Sequence, residues 1–436
     1  MGRPAFVRFL REGRDGLRGE PGVHWGGQFA SWRELSASGR ERAALVDEQH
    51  AYVVDPSAGL DALVSLFAVA GVADTFLVWA KVNALGIEHR RLANGLYQVP
   101  TPFTGLLERP LWGVCTSGTS GAGAKVAVAY ADQLELIALH YERAMYQPTF
   151  ADGAPPLLST CLPLQFSAAF AMVVLQSLYM CRDLVVFQPH DWRTVADLAK
   201  RTNLTVLAVP ALAAAAALGG ERVDMSKAAF FLGAGHLGAH RIDTIRRRFE
   251  NVSLINLYGA AEAGAISVDR DPVGDAHVGR PIVGKAVWLH EPDERGIGAV
   301  AATGPDCAEY IWQPGEGAWP VGKFMASTDY GHFDEAGHLY LDGRIDNGEK
   351  LFGITIYPRA IERHLLRLDG VADAQVRVVR DPNGLERLAV TVIGGASEHA
   401  VRAHCEQLPE IERPNQIECV AEKVALGRYS AHGKLR

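Results

Sequence analysis

Four segments of this chain combine residue types and spacings that can do chemistry. Between Thr116 and Lys125 it reads Thr-Ser-Gly-Thr-Ser-Gly-Ala-Gly-Ala-Lys, directly after the apolar run Leu111–Cys115. Small residues and hydroxyls let backbone N–H groups crowd around an anion, and the lysine adds a point charge, so the segment suits phosphate. It is not a Walker A loop, because Ala124 intrudes before Lys125 and Val126 stands where a magnesium-binding hydroxyl belongs. Further on, Leu257-Tyr258-Gly259-Ala260-Ala261-Glu262 follows a strand-like run from Val252. A tyrosine at a strand end can stack on a base, and a carboxylate shortly after it can hold Mg²⁺. A third segment runs from Ser327 to Glu362. In it Asp329 can accept two ribose hydroxyls, and Arg344 offers a rigid donor fork. The fourth is Ser430-Ala431-His432-Gly433-Lys434-Leu435-Arg436. Taken singly, each also reads as ordinary structure: a flexible loop, a packed tyrosine beside a solvated glutamate, a polar hairpin, a solvated lysine.

The elements around these segments predict an α/β protein. Apolar runs at Leu157–Leu164, Leu184–Gln188, Leu204–Val209 and Val252–Leu257 alternate with helical patterns over 132–145, 192–201 and 239–249. Such alternation argues for layers with largely parallel sheets, whose ligand sites lie beyond the carboxyl ends of strands. The most apolar stretch, Leu60 to Ala80, carries Asp61, Gly71 and Asp74. It reads as a buried helix followed by a strand and not as a membrane span. Ala211–Ala217 reads as a helix in a packed layer.

The tail differs. Pro358 opens a helix, Ala374–Val379 and Leu388–Ile393 flank an Asp381-Pro382-Asn383-Gly384 turn, and a helix near 397–406 precedes a strand near 417–420. This predicts a small α+β unit that starts after the polar stretch Gly343–Asp346.

Composition narrows the function. The formal charge of −7 over 436 residues offers no basic footprint for nucleic acid or an anionic membrane. Six scattered cysteines with no Cys-x-x-Cys suggest neither a disulfide framework nor a zinc cage. The start, Met1 to Phe6, has no apolar run of a signal peptide, so the expectation is a reduced, cytoplasmic protein.

All four segments in this order make the chain resemble the adenylate-forming superfamily of acyl- and aryl-CoA synthetases, adenylation domains and luciferases. The resemblance covers nearly the whole chain and is specific from Thr116 onward. The family's phosphate loop matches Thr116–Lys125, and its adenine-side strand-loop matches Gly233-Ala234-Gly235-His236-Leu237. Its Tyr-Gly-x-Thr-Glu motif matches Tyr258–Glu262, its ribose aspartate Asp329, its hinge segment Gly343–Gly353, and its mobile C-terminal lysine Lys434. The implied architecture is a large multi-layer N-terminal domain (1–345), with mostly parallel sheets and an abbreviated first subdomain, plus a small mobile α+β domain (346–436).

The implied activity joins a carboxylic acid to AMP, releases pyrophosphate, and passes the acyl group to a pantetheine thiol of CoA or an acyl carrier protein. Thr116, Ser117, Gly118, Thr119 and Lys125 would hold phosphates, and Glu262 the Mg²⁺ of ATP. Gly233, Ala234, Gly235 and Tyr258, with Gly259, Ala260 and Ala261, would line the adenine and α-phosphate, while Asp329 and Arg344 take the ribose. Lys434 would bridge the carboxylate and phosphate, and the C-terminal domain would then rotate about Asp346 to present the segment around Gly353 to the thiol.

By family position the segment Leu162–Ala168, with Phe166 and Ser167, would line the acid pocket, with Gly259 beside it, and the apolar Phe166, Phe170 and Met172 suit either that pocket or plain core. Ser167 stands where amino-acid-activating members place an aspartate, which disfavours an α-ammonium and suits an aromatic or modest aliphatic acid. Departures from the family pattern are an extra residue before Lys125, Ala261 in place of threonine, and Ser327-Thr328-Asp329 in place of Thr-Gly-Asp. Losing one hydroxyl donor of that kind costs roughly 2.7–4 kcal/mol in a well-studied precedent. Ala261 and the altered phosphate loop motivate one alternative, a catalytically weak nucleotide-binding homologue, and a second alternative is adenylation coupled to a non-thiol nucleophile such as an amine.

Overall fold

A computed structural model describes residues 20–103, 109–115, 124–150, 153, 156–274, 276–294, 296–344, 349–351, 354–356, 358–380 and 386–429. Two large sheets organise most of it. The nine-stranded sheet has a parallel centre in the order Ser253–Ala260, Ala228–Gly233, Leu204–Ala208, Leu157–Thr160, Leu184–Val186 and Gly22–Trp25. Gly264–Asp269 and Arg280–Pro281 extend one edge antiparallel, and Gln28–Ser31 the other. Its central strands read as unbroken apolar runs because both faces are covered. Phe230 and Phe231 are both 0% exposed yet lie in different core clusters on opposite faces, as the two-residue period of a strand requires.

The eight-stranded sheet is mixed, so the expected parallel character resides mainly in the nine-stranded sheet. Only Ala51–Val54, Phe76–Trp79 and Leu111–Cys115 run parallel, and the flanking strands, including Val126–Tyr130 and Tyr310–Gln313, are antiparallel. Each edge of this sheet closes as a hairpin, Arg90–Ala93 with Leu96–Val99 at one end and Tyr310–Gln313 with Gly317–Pro320 at the other, and neither needs a helical crossover.

Between the two sheets lie the helices Trp32–Arg42, Leu60–Ala70 and Leu134–Tyr141 and the helical run from Ser167 to Tyr179. They share one apolar cluster that reaches Trp79 and Trp112 on one sheet and Leu158, Leu207, Phe231 and Ile255 on the other. The outer face of the nine-stranded sheet is covered by Trp192–Ala199, Pro210–Ala217 and Ala239–Arg248. The expected helix 132–145 ends at Tyr141 and continues as a π turn over Glu142–Tyr146. The expected strand Leu157–Leu164 stops at Thr160. Among the described residues no helix is long and apolar enough to cross a membrane.

A separate antiparallel sheet, Ala286–His290, Gly298–Thr303, Met325–Phe333 and Leu339–Arg344, precedes the C-terminal unit. That unit has its own core, in which Ile361 and Leu365 of the helix Pro358–Leu365 meet Val376, Leu388 and Val390. Val371–Arg380 and Glu386–Gly394 pair antiparallel with Arg380 opposite Glu386, and Gln416–Val420 adds in parallel. The Asp381–Gly384 turn and the expected boundary at 345/346 lie outside the described residues.

Trp79 links sheet to helix layer. It is 0% exposed, its ring centroid lies 5.1 Å from that of Phe170, and its indole N–H donates to the Leu164 carbonyl at 2.6 Å. Trp79→Phe keeps a ring there but orphans that carbonyl. Urea unfolding is expected to show a loss of about 2 kcal/mol, seen as a lower midpoint at unchanged slope.

Candidate functional site

The site grows from the carboxyl end of the strand Ser253–Ala260. This strand runs three residues past its expected end at Leu257, so Tyr258 lies within it. Tyr258, Gly259 and Ala260 pair with Ser267, Ala265 and Gly264 of the returning strand, with a bulge between Tyr258 and Gly259. The motif is therefore the tip of a tight hairpin. Only glycine fits at 259, where an added Cβ would collide with the Gly264 carbonyl.

Neighbouring strands bring further candidates to this tip. Gly233 pairs with Leu257, so the turn Gly233–Ala234–Gly235 leaves the sheet beside Tyr258. Ala234 is exposed and holds φ at +58°, a left-handed conformation that a non-glycine residue adopts at a cost. Tyr258 is 8% exposed, and its hydroxyl donates to Asp329 Oδ2 at 2.9 Å. Ser327 donates to the same oxygen at 3.2 Å and accepts from the Asp329 amide at 2.9 Å. Burial, reinforced by Asp329, pushes the Tyr258 phenol well above its usual pKa, so it stays a donor. Asp329 and Arg344 sit opposite each other in register on adjacent strands. Two candidates that are 71 residues apart in the chain, Tyr258 and Asp329, thus share one hydrogen bond.

Lys125 is exposed and enters the strand Val126–Tyr130, whose first residue pairs with Cys115. Burial pushes the Cys115 thiol up to about 12, so it is inert as a nucleophile near neutral pH. Thr116, Ser117, Gly118, Thr119, Gly353 and Lys434 lie outside the described residues. Glu262 follows the hairpin tip and its carbonyl accepts from the Ala308 amide at 2.8 Å. Its carboxylate is partly exposed and makes no hydrogen bond or ion pair among the described residues. A single carboxylate suits Mg²⁺ carried in by phosphates, which keeps most of its ligands as water and phosphate oxygens. Among the described residues no cluster of three metal-ligating side chains exists.

The acid-pocket candidates part company. Phe166 precedes the helical run and is partly buried, and Ser167 opens it. Phe170 is 0% exposed with its ring 5.1 Å from Trp79 and 5.5 Å from Trp112, so it belongs to the core. It also begins a π turn, Phe170–Val174, a local widening often found near functional sites.

The sequence reading missed what holds the hairpin. Lys285 and Asp306 form an ion pair at 2.6 Å with side chains 0% and 3% exposed. Asp306 Oδ2 also accepts from the Tyr141 hydroxyl at 2.8 Å and the Ala265 amide at 3.0 Å, and Lys285 donates to the Ala263 carbonyl. Glu262 is thus followed by a loop anchored on buried charge. Tyr141 and Asp306 lie 165 residues apart, so no local pattern marks them.

Residues 108–308 match the family described as AMP-binding enzyme. The chain is 27% identical over 276 residues to a 4-coumarate–CoA ligase-like protein of Oryza sativa subsp. japonica, covering 60% of this chain and 48% of that one. It is 27% identical over 170 residues to a 3,4-dihydroxybenzoate–[aryl-carrier protein] ligase of Bacillus anthracis, covering 39% and 37%. The chain thus spans under half the length of these curated relatives. In fold it is similar to an anthranilate CoA ligase crystallised with anthranoyl-AMP, with a TM-score of 0.74, 16% identity, and coverage of 99% and 95%.

Lys285→Met strands the Asp306 carboxylate in the interior and is expected to destabilise the protein by about 3–5 kcal/mol. Lys285→Met/Asp306→Asn, which removes both charges but keeps an acceptor for Tyr141 and Ala265, should recover more than half of that loss in urea unfolding.

Proposed function

The chain belongs to the adenylate-forming superfamily through its AMP-binding domain, and from that premise we propose that it activates a carboxylic acid with ATP. The product is an acyl-adenylate, and the acyl group then passes to the pantetheine thiol of CoA or a carrier protein. The observation that supports this most directly is the hydrogen bond from Tyr258 to Asp329, which joins the strand end suited to a base with the carboxylate suited to a ribose.

Bound Mg·ATP supplies the adenylyl group and a pyrophosphate leaving group. The chain's own residues do electrostatic and positional work. Tyr258 and Ser327 both hold Asp329 Oδ2, which fixes the carboxylate plane against the ribose edge. Arg344, opposite in register, adds a donor fork. The exposed turn at Ala234 lets adenine lie against backbone next to Tyr258. Glu262 holds the cation, and Lys125 with the hydroxyls of Thr116, Ser117 and Thr119 neutralises the outer phosphates. In this reading the chain divides at 345/346, Lys434 orients the attacking carboxylate, and the segment around Gly353 meets the thiol.

The acid is aromatic or modestly aliphatic. Ser167 offers a hydroxyl where an α-ammonium would need a carboxylate, and Phe166 offers an apolar wall. Relatives named for coumarate and dihydroxybenzoate favour the aromatic choice.

Acid-dependent ATP–pyrophosphate exchange tests the reading over benzoates, cinnamates, short and medium fatty acids and amino acids. Exchange with aromatic acids is expected, and adding CoA, a carrier protein or an amine in turn identifies the acceptor. Lys434→Ala should cut exchange by at least about 100-fold, the scale of one lost transition-state contact, while the melting temperature stays unchanged. Folded protein that binds ATP but exchanges with no acid would instead identify a nucleotide-binding homologue.

A further inference from the structure

Arg241 is a buried charge to which the proposed site gives no task. It lies in the first turn of the helix Ala239–Arg248, just after the turn Gly233–Leu237, and is 3% exposed. One arm of its guanidinium donates to the His236 carbonyl at 2.6 Å. The other donates to Asp373 Oδ2 at 2.5 Å and to the Tyr429 hydroxyl at 2.9 Å. His236 belongs to the turn proposed to hold adenine, whereas Asp373 and Tyr429 belong to the C-terminal unit. The planar fork is thus shared between the two units, which a lysine's point charge could not reproduce.

The surroundings give this contact a direction. Asp373 sits on the strand Val371–Arg380 and also accepts from the Ala374 amide at 2.9 Å, which fixes its carboxylate. Tyr429 packs on a small cluster of Ala372, Ile393, Val420 and Ala425. It lies five residues before Lys434, a tether that spans at most about 18 Å. Burial lowers the basicity of Arg241, but Asp373 and then Tyr429 more than reverse this, so it remains a cation. A neighbouring bridge from His240 to Glu422, at 3.2 Å, spans the same two units but is partly solvent-exposed.

We propose that Arg241 is a positioning residue that couples the turn at His236 to the docking of the C-terminal segment ending in Tyr429, so that nucleotide at the turn and closure of that segment stabilise each other. Reciprocity follows from linkage: if an ordered turn favours the docked segment, the docked segment tightens nucleotide binding by the same factor. The inference rests on the ligase reading for the identity of the nucleotide.

The test is amide hydrogen exchange on the full chain at residues 234–237 and 421–429, with and without saturating ATP. Because Arg241→Gln alone leaves Asp373 buried and unpaired, Arg241→Gln/Asp373→Asn, which keeps a neutral amide pair, is measured beside it and beside Tyr429→Phe. In the wild type ATP should slow exchange at 421–429 at least fivefold. The double variant should lose that slowing, and Glu422→Gln should keep it. Pyrophosphate exchange adds a second readout: Tyr429→Phe, which removes a hydrogen bond that docks the segment, should lower kcat and raise the KM for ATP together, each at least fivefold, because the undocked segment no longer tightens the nucleotide.

ATP protection of 421–429 that survives in the double variant would overturn the coupling, as would an unchanged kcat in Tyr429→Phe. If the wild type exchanges no pyrophosphate, the ligase reading falls and the kinetic arm with it. ATP protection then decides the coupling, and if ATP also fails to bind, the proposal falls too.

Discussion

The architecture of the site depends on one buried ion pair. Lys285 and Asp306 meet with almost no solvent access, and between them they hold the Ala263 carbonyl, the Ala265 amide and the Tyr141 hydroxyl. Those three groups belong to the two sides of the loop after Glu262 and to a helix of the central layer. A buried pair of this kind contributes little net stability over an apolar replacement, but it tolerates the loss of neither partner. Its value here is geometric. It pins a loop that must expose a carboxylate at its start while the residues just after it are buried.

The electrostatics around the pair serve the same end. Burial raises the Tyr141 hydroxyl far above its usual range, with Asp306 adding to the effect, so it keeps its proton and donates to Asp306 while accepting from the Ala265 amide. Burial also lowers His140, which keeps that neighbouring imidazole neutral and adds no third charge. The same logic recurs at Tyr258, a buried phenol that serves as a fixed donor to Asp329. The carboxylates of Asp306 and Asp329 are each held by a buried phenol that does not ionise near neutral pH.

The two shared contacts differ in reach. Lys285–Asp306 works within the large N-terminal layers, whereas Arg241 spans from them to the C-terminal unit. The first makes the hairpin rigid, and the second ties a turn on the nine-stranded sheet to a strand and tail with a separate core. A site whose parts come from two cores needs both kinds of contact, since burial of apolar surface alone does not set the register between units.

The local grammar of the chain was legible before any coordinates. Parallel strands such as Leu204–Ala208 and Ala228–Gly233 announce themselves as unbroken apolar runs, because both of their faces are covered. The small residues at Gly259 and in the Gly233–Gly235 turn mark places where backbones pass closely. The tail's hairpin pattern reappears as paired strands. Tyr258 was placed one step off, beyond the strand instead of inside it, because pairing with Gly264–Asp269 extends a strand in a way that no single-strand pattern reports. Phe170 suits a pocket wall or the core by its type alone, and its neighbours Trp79 and Trp112, which come from other strands, put it in the core.

The sequence by itself carried the resemblance to adenylate-forming enzymes and the layered α/β class, since these rest on short spacings and on apolar periodicity, and it proposed the candidate residues. Only the tertiary structure decided which charges are buried and with whom. Lys285, Asp306, Arg241 and Asp373 look in the chain like any solvated lysine, arginine or aspartate. Their partners lie as far as 188 residues away in the case of Arg241 and Tyr429. An ion pair becomes structural when packing removes water from both members, and that is a property of the assembled layers, not of any segment read alone.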